Sequence, residues 1–468
     1  MNKTLLATAL GACLLPALAN GEAEQTKTNI KSGGATTVYD TSRNAFSLPA
    51  KNLSILRRDN FFIGNAFFKQ PWVPTPASTK ARDGLGPLFN TNTCQSCHVK
   101  DGRGHPPLEE GDDFLSTLIR LSIPATSDEH QALLKTQGAV AEPNYGDQLQ
   151  PKANPGIKPE ARPRFTYETI NGQYKDGSTY QLIKPTLHLD NPAYGDFHPD
   201  LMTSARVAPV MIGLGLIDAI AEADILANAD PDDKDGDGIS GRANYVWDIE
   251  KQKTVLGRFG LKANQPNIAQ QVKSAFHGDM GLTSSMHKQQ GCTAVQTDCQ
   301  KAVHGGTPEV EDKVMDKVVF YSSTLGVPAR RNATNPEVIK GEQLFTAANC
   351  NSCHQVSFKT ADYPAIKELS KQTIMPYSDL LLHDMGEGLA DGRPDFLATG
   401  REWRTPPLWG IGLVETVNQH TRFLHDGRAR NLSEAILWHG GEAEASKQAF
   451  VDMSKADRDA LIAFLNSL

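Results

Sequence analysis

The chain has 468 residues, a formal net charge of −7, 22% charged and 39% hydrophobic residues. That length supports more than one core without staples, and the composition is that of a globular protein. The acidic balance and the lack of a long basic run argue against nucleic acid or an anionic membrane as a partner.

In chain order, residues 1–19 come first. Lys3, an apolar run and Ala17-Leu18-Ala19 have the layout of a secretory signal peptide cleaved after Ala19. Leu10-Gly11-Ala12-Cys13 approximates a lipobox, which leaves a lipoprotein as the second reading. No later run is long enough to span a bilayer, so the mature chain is expected to have no transmembrane segment. An exported bacterial protein of the periplasm follows. Residues 20–45 are polar and read as a flexible leader.

From Phe46 the apolar stretch "NFFIGNAFFKQPWV" leads to "CQSCH", with Cys94, Cys97 and His98. Residues 106–330 carry many Pro and Gly punctuators and read as loop-rich, with short helices and strands. Inside them, "DKDGDGISGRAN" follows the oxygen-ligand rhythm of a calcium loop. Asp233, Asp235 and Asp237 take its first acidic positions, Gly238 the turn, and Ile239 offers a carbonyl. Asn244 stands at the last position, where a bidentate Glu would be expected. Cys292 and Cys299 in "CTAVQTDC" are most simply a structural disulfide in an oxidising compartment.

"NATNPEVIKGEQLF" then predicts a helix with Pro336 in its first turn, directly before "CNSCH", with Cys350, Cys353 and His354. "MSKADRDALIAFLNSL" predicts a terminal amphipathic helix capped near Ser454, with Leu461, Phe464, Leu465 and Leu468 on one face. "RVAPVMIGLGLID" (206–218) and "RTPPLWGIGLVE" (404–415) echo one another, each downstream of one Cys-x-x-Cys-His, which points to an internal duplication.

The Cys-x-x-Cys-His spelling is the strongest signal. Two thiols three residues apart can each form a thioether to one porphyrin, and the adjacent His then faces the iron. Zinc does not call for a His behind each pair, and neither pair has the βαβ context of a thioredoxin-like site. Two covalently bound haems c follow, on Cys94, Cys97 and His98 and on Cys350, Cys353 and His354.

With "FFIGNAFF", "ARDGLGPLFN", "CQSCHVKDGRG", "ADPDDKDGDGISGRAN", "LLHDMG", "EWRTPPLWGIG" and "FLHDGRARNLSEAILWHGGEA", nearly the whole mature chain resembles the bacterial di-haem oxidoreductase family. That family is related to the di-haem cytochrome c peroxidases and is sometimes labelled thiol oxidoreductase. The resemblance implies a mainly α fold of two cytochrome c-like haem domains, here with a loop-rich, enlarged middle region. Residues 46–330 would form the first domain and 331–468 the second. It also implies a sixth iron ligand fourteen residues past His425, which is His439; Met385 is the alternative. A His in place of the usual Met would lower that haem's potential.

For the first haem the comparison supplies no distal residue. Peroxide chemistry needs an open iron position and an acid/base group beside it. Glu222 is the candidate, from its place near the first Gly-rich echo. The function so implied is a periplasmic oxidoreductase that reduces hydrogen peroxide, with electrons relayed from the C-terminal to the N-terminal haem. An electron-donor or electron-acceptor protein would be its partner. A non-catalytic electron-transfer cytochrome, or an oxidoreductase acting on a sulfur compound, are the alternatives.

Overall fold

The computed structural model describes residues 30–468. The signal-peptide reading of residues 1–19, with Cys13 and the Ala19 cleavage site, lies outside them. Residues 30–45 are not the flexible leader expected of them. Val38 bridges to Pro328, its N–H donates to Val327 O at 2.9 Å, and Ala45 and Phe46 are fully buried. Buried Thr36, Val38 and Ala45 in this polar stretch, with Phe46 directly after it, tie it down.

Two helix pairs carry the two motifs. Helix α1 (Ile55–Lys69) precedes Cys94, α2 (Ile268–Met280) and α3 (Asp312–Ser323) follow it, α4 (Pro336–Ala347) precedes Cys350, and α5 (Leu432–Leu437) and α6 (Lys455–Ser467) close the chain. Helix α4 begins as its sequence suggests: the Asn335 side chain accepts from Glu337 N, and Pro336 fills a position that needs no N–H. Ser454 caps α6 by accepting from Asp457 N at 3.3 Å, and Leu461, Phe464, Leu465 and Leu468 are all buried.

Helix α1 crosses α3 at Gly64, and α4 crosses α6 at Gly341. A Cβ on Gly64 would stand 2.1 Å from Lys317 O, and one on Gly341 would stand 1.9 Å from Ala460 O. Backbones approach so closely only where no side chain intervenes. Four residues on, Phe68 and Phe345 put their rings 6.3 Å and 6.1 Å from His98 and His354. The two halves therefore repeat one unit: a helix crossing at glycine, an aromatic ring, and the motif.

The expectation of a mainly α fold is corrected. The described chain is 31% helical and 18% strand, with many small sheets, and is not a mainly α, cytochrome c-like fold. The sheets are six antiparallel two-stranded ladders. The difference arises in residues 106–330. There β1 (Thr117–Ser122) pairs with β4 (Met202–Val207), and β2 (Arg162–Gln173) pairs along its whole length with β3 (Thr179–Asp190). A second core of Phe114, Ile119, Leu121, Tyr145 and Phe165 fixes the base of this long hairpin. Its turn holds Gly177 at φ +87 and lets Asp176 Oδ1 accept from Ser178 N.

The hairpin tip reaches the C-terminal helices. Lys175 N donates to Val451 O, Arg458 Nη2 to Asp176 Oδ2 at 2.8 Å, and Arg430 Nη2 to Gln181 O at 2.8 Å. The main core is continuous, running from Ala45 to Leu468 with buried side chains from both halves. Cys292 and Cys299 are disulfide-bonded, with Cα atoms 5.7 Å apart. Among the described residues no helix is long and apolar enough to cross a membrane.

Candidate functional site

Each motif is one tight helical turn ending in an oriented histidine. His98 N donates to Cys94 O and His354 N to Cys350 O, both at 2.9 Å. His98 Nδ1 lies 2.8 Å from Pro209 O and His354 Nδ1 lies 2.9 Å from Tyr377 O. A carbonyl can only accept, so Nδ1 carries the proton and Nε2 keeps its lone pair for a metal. Burial pulls both imidazoles down to a pKa of about 4, so both are neutral, as a ligand must be.

None of the four motif cysteines is disulfide-bonded, and burial pushes the thiol pKa of Cys97 and Cys350 up to about 12 and that of Cys94 higher. They do not gather into a zinc site. Among the described residues the only group of three or more metal-ligating side chains within reach of one another is Asp233, Asp235 and Asp237.

Both motifs line one continuous cavity. Its lining includes both echoing segments, Arg206 to Ile217 and Arg404 to Val414. The echo is structural as well. Gly213 and Gly410 both take φ near +70 (69 and 76) and open a helical turn. Gly215 and Gly412 then press on the ends of α3 and α6, where a Cβ would stand 2.1 Å from Ser323 O and from Asn466 O. Side chains of this cavity are mostly apolar, but Arg103, Arg120, Arg206, Arg258 and Arg404 reach it. Arg206 Nη2 is buried without a partner. An apolar lining, paired thiols, a free Nε2 on each motif histidine and one unpartnered guanidinium nitrogen, the Nη2 of an Arg206 otherwise held by Asp395 and Ser204, suit two flat, carboxylate-bearing porphyrins.

His439 faces the same cavity just past α5, and its Nδ1 lies 2.7 Å from Ala435 O, again leaving Nε2 free. Burial lowers its pKa, and it is close enough to His354 for a charge on it to act there. Met385 also lines the cavity but has no such anchoring. His425 is committed elsewhere: its ring stacks on Trp403 at 3.9 Å. Arg428 is held by Asp426, with Nη2–Oδ2 2.7 Å.

Other expectations do not converge on the cavity. Glu222 is exposed at the start of the short Glu222–Leu226 helix and does not line it. Asn244 does not join the aspartate loop. It is 1% exposed, its Nδ2 donates to Lys262 O and Asp395 O, and its Oδ1 accepts from Leu397 N. Asp233, Asp235 and Asp237 do come together, with Gly238 N donating to Asp233 Oδ1 and Ile239 N to Asp237 Oδ1.

Sequence reasoning missed two polar clusters. Beside the first motif, Asp101 accepts from Ser47 Oγ at 2.6 Å and from the Tyr321 hydroxyl; in the second half Phe464 occupies the place of Tyr321. Beside the second motif, buried His383 lies between Asp379 Oδ2 and Glu442 Oε2, both at 2.7 Å, with Cys353 Sγ 3.7 Å away. Only the HD in "LLHDMG" hinted at this arrangement, since Asp379 and Glu442 are far apart in sequence.

Burial opposes charge on His383, but the hydrogen bonds it makes to Asp379, Cys353 and Glu442 raise its pKa well above the ordinary value. A raised folded-state pKa gives stability that is fully present below the unfolded value, about 6.5, and is lost as pH rises through the folded one. The stability advantage of the wild type over His383→Asn, measured by urea unfolding, is therefore expected to be largest near pH 6 and to shrink at alkaline pH. An advantage that grows with pH would contradict the buried imidazolium.

A family model described as "di-haem oxidoreductase, putative peroxidase" matches residues 26–468. No curated protein and no solved structure matches the chain. With two neutral, carbonyl-anchored imidazoles behind paired thiols on one cavity, and a family match over essentially the whole chain, this protein belongs to the di-haem oxidoreductase family.

Proposed function

We propose that the protein is a periplasmic di-haem c-type oxidoreductase that reduces hydrogen peroxide, with electrons passing from the C-terminal to the N-terminal haem site. The observation that carries this reading is the pair of Cys-x-x-Cys-His turns facing one cavity, each with its His Nε2 left free. When bound, the haems supply reversible one-electron chemistry at iron.

The chain's own residues do the rest. Cys94 and Cys97, and Cys350 and Cys353, would form the thioethers. The carbonyls of Pro209 and Tyr377 fix the ring planes of His98 and His354. His439 offers a second nitrogen at the C-terminal site, and Met385 no oriented donor. Arg206, with its free Nη2, and Arg404 are suited to carboxylate side arms, and the apolar walls exclude water. A peroxide would enter at the N-terminal site, where buried Asp279 lines the cavity and its charge acts on both Cys94 and Cys97.

Export is supported by the residue 1–19 pattern and by the Cys292–Cys299 disulfide, a bond that persists in oxidising compartments. A partner protein that delivers electrons follows from the reaction. Paramagnetic resonance of the half-reduced protein tests the reading: one high-spin haem, with rapid peroxide consumption, is expected. Two low-spin haems unchanged by cyanide or peroxide would leave an electron-transfer cytochrome instead.

The aspartate loop is proposed to bind Ca²⁺ weakly, since Asn244 contributes nothing and no bidentate carboxylate closes the site. Next to it, Ser240 Oγ donates to Glu442 Oε1 at 2.6 Å, and Glu442 holds His383. Calorimetric titration of the holoprotein with CaCl₂ is expected to show one site, abolished by Asp235→Ala; no heat beyond dilution would remove it.

A further inference from the structure

The cavity wall contains a tryptophan in an unusual electrostatic setting. Trp403 is 7% exposed, lines the cavity, and pairs across the short ladder with His383, which neighbours Cys353. Its Nε1 donates to Leu389 O at 2.9 Å. The His425 ring stacks on it nearly parallel, and the Lys262 ammonium lies over it, 4.6 Å from the ring centroid.

Lys262 is as buried as a lysine can be: its side chain has no exposure at all. Nζ donates to Asp391 Oδ1, Arg393 O and Thr399 O, each at 2.8 Å, which uses all three of its protons. Burial pulls its pKa down to about 8 while Asp391 opposes the fall, so it is charged at neutral pH. A lysine is buried like this only where its charge is so held. The ammonium satisfies three acceptors and pairs with Asp391, and beyond that it repels further positive charge on the ring beneath it.

Indole is among the side chains most easily robbed of an electron, and the product is a cation. A fixed ammonium less than 5 Å away makes that product less stable, an effect that low dielectric enlarges. His425 does not offset this, because burial holds it neutral, with a pKa of about 4. Trp409, which also lines the cavity, has no cation over its ring among the described residues.

We propose that Lys262 is an electrostatic guard for Trp403, keeping oxidising equivalents drawn from peroxide at the haem sites from being spent on this ring. The proposal rests on the peroxide-reducing reading above. The damage it prevents is two-electron hydroxylation: the ring loses two electrons, the first giving the cation above, water supplies the oxygen and two protons are released, and hydrogen peroxide takes up those electrons and protons and leaves as two molecules of water.

The test is peptide mass mapping of the haem-loaded protein after hydrogen peroxide treatment. In Lys262→Gln the Trp403 peptide is expected to gain one oxygen atom about tenfold more often than in the wild type. Lys262→Arg, which keeps the charge, is expected to stay at the wild-type level. No rise in a folded, haem-loaded Lys262→Gln protein would overturn the proposal. If Lys262→Gln does not fold, the unmutated protein decides: less oxygen on Trp403 than on Trp409 supports the guard, and equal levels, including none on either, overturn it. A protein that carries no haem or consumes no peroxide would be a failure of the functional reading; unchanged Trp403 in one that does consume peroxide is a failure of the guard.

Discussion

Gly341→Ala is expected to destabilise the protein by about 3 kcal/mol or more, because the new Cβ must occupy space held by another helix's backbone. The nearest atoms are Ala460 O at 1.9 Å and the Phe464 Cβ at 2.7 Å. A flexible side chain could swing away from such a clash, but a carbonyl inside α6 cannot. Relief requires α4 and α6 to separate, which unpacks Phe345 from Phe464 and loosens the ring beside His354. Gly64→Ala should behave alike at the first motif, where Lys317 O stands 2.1 Å from the new atom. Gly278→Ala in α2 is the control. Its Cβ meets nothing nearer than Gln148 Oε1 at 3.7 Å, so helix propensity alone applies and the change should be neutral or slightly stabilising. Urea unfolding of the three variants checks the order; a harmless Gly341→Ala would show that the helices do not cross as closely as described.

His439→Ala is expected to convert one of the two haems, and only one, from low to high spin. The imidazole is presented ready for coordination, with Nδ1 tied to Ala435 O and Nε2 facing the cavity that His354 also faces. Its truncation removes a strong-field nitrogen and puts nothing in its place. Met385→Ala should leave the spectrum alone, since among the described residues no hydrogen bond orients that thioether toward the cavity. Absorbance and paramagnetic resonance of the oxidised variants distinguish the two. An unaltered spectrum in His439→Ala together with a change in Met385→Ala would move the ligand to Met385.

The site was more legible in the sequence than the fold. Cys-x-x-Cys-His is a local pattern, and one turn of backbone suffices to present it, so nothing distant could hide it. The α4 and α6 helices were equally local, each marked by a cap and an apolar face. The ladders were not. The β1 strand finds its partner β4 some eighty positions later, and nothing within either strand names the other. The long hairpin did leave a mark, the Asp-Gly in its turn, which was lost among the many other Gly and Pro punctuators of residues 106–330. Asn244 shows the opposite error. Spacing put it at the last ligand position, but tertiary packing drew its amide inward to Lys262 O and Asp395 O. Nothing in the sequence around Lys262 marks it, because only the folded chain brings Asp391 and Trp403 to it.

The most direct test of the central claim is the intact mass of protein purified from a host able to mature cytochromes c, measured after full denaturation and extraction of loose pigment. The account expects the polypeptide plus two porphyrin-iron groups, falling to one in Cys94→Ala/Cys97→Ala and to one in Cys350→Ala/Cys353→Ala. A wild-type mass equal to the bare chain, or to the chain with a single such group, would contradict it.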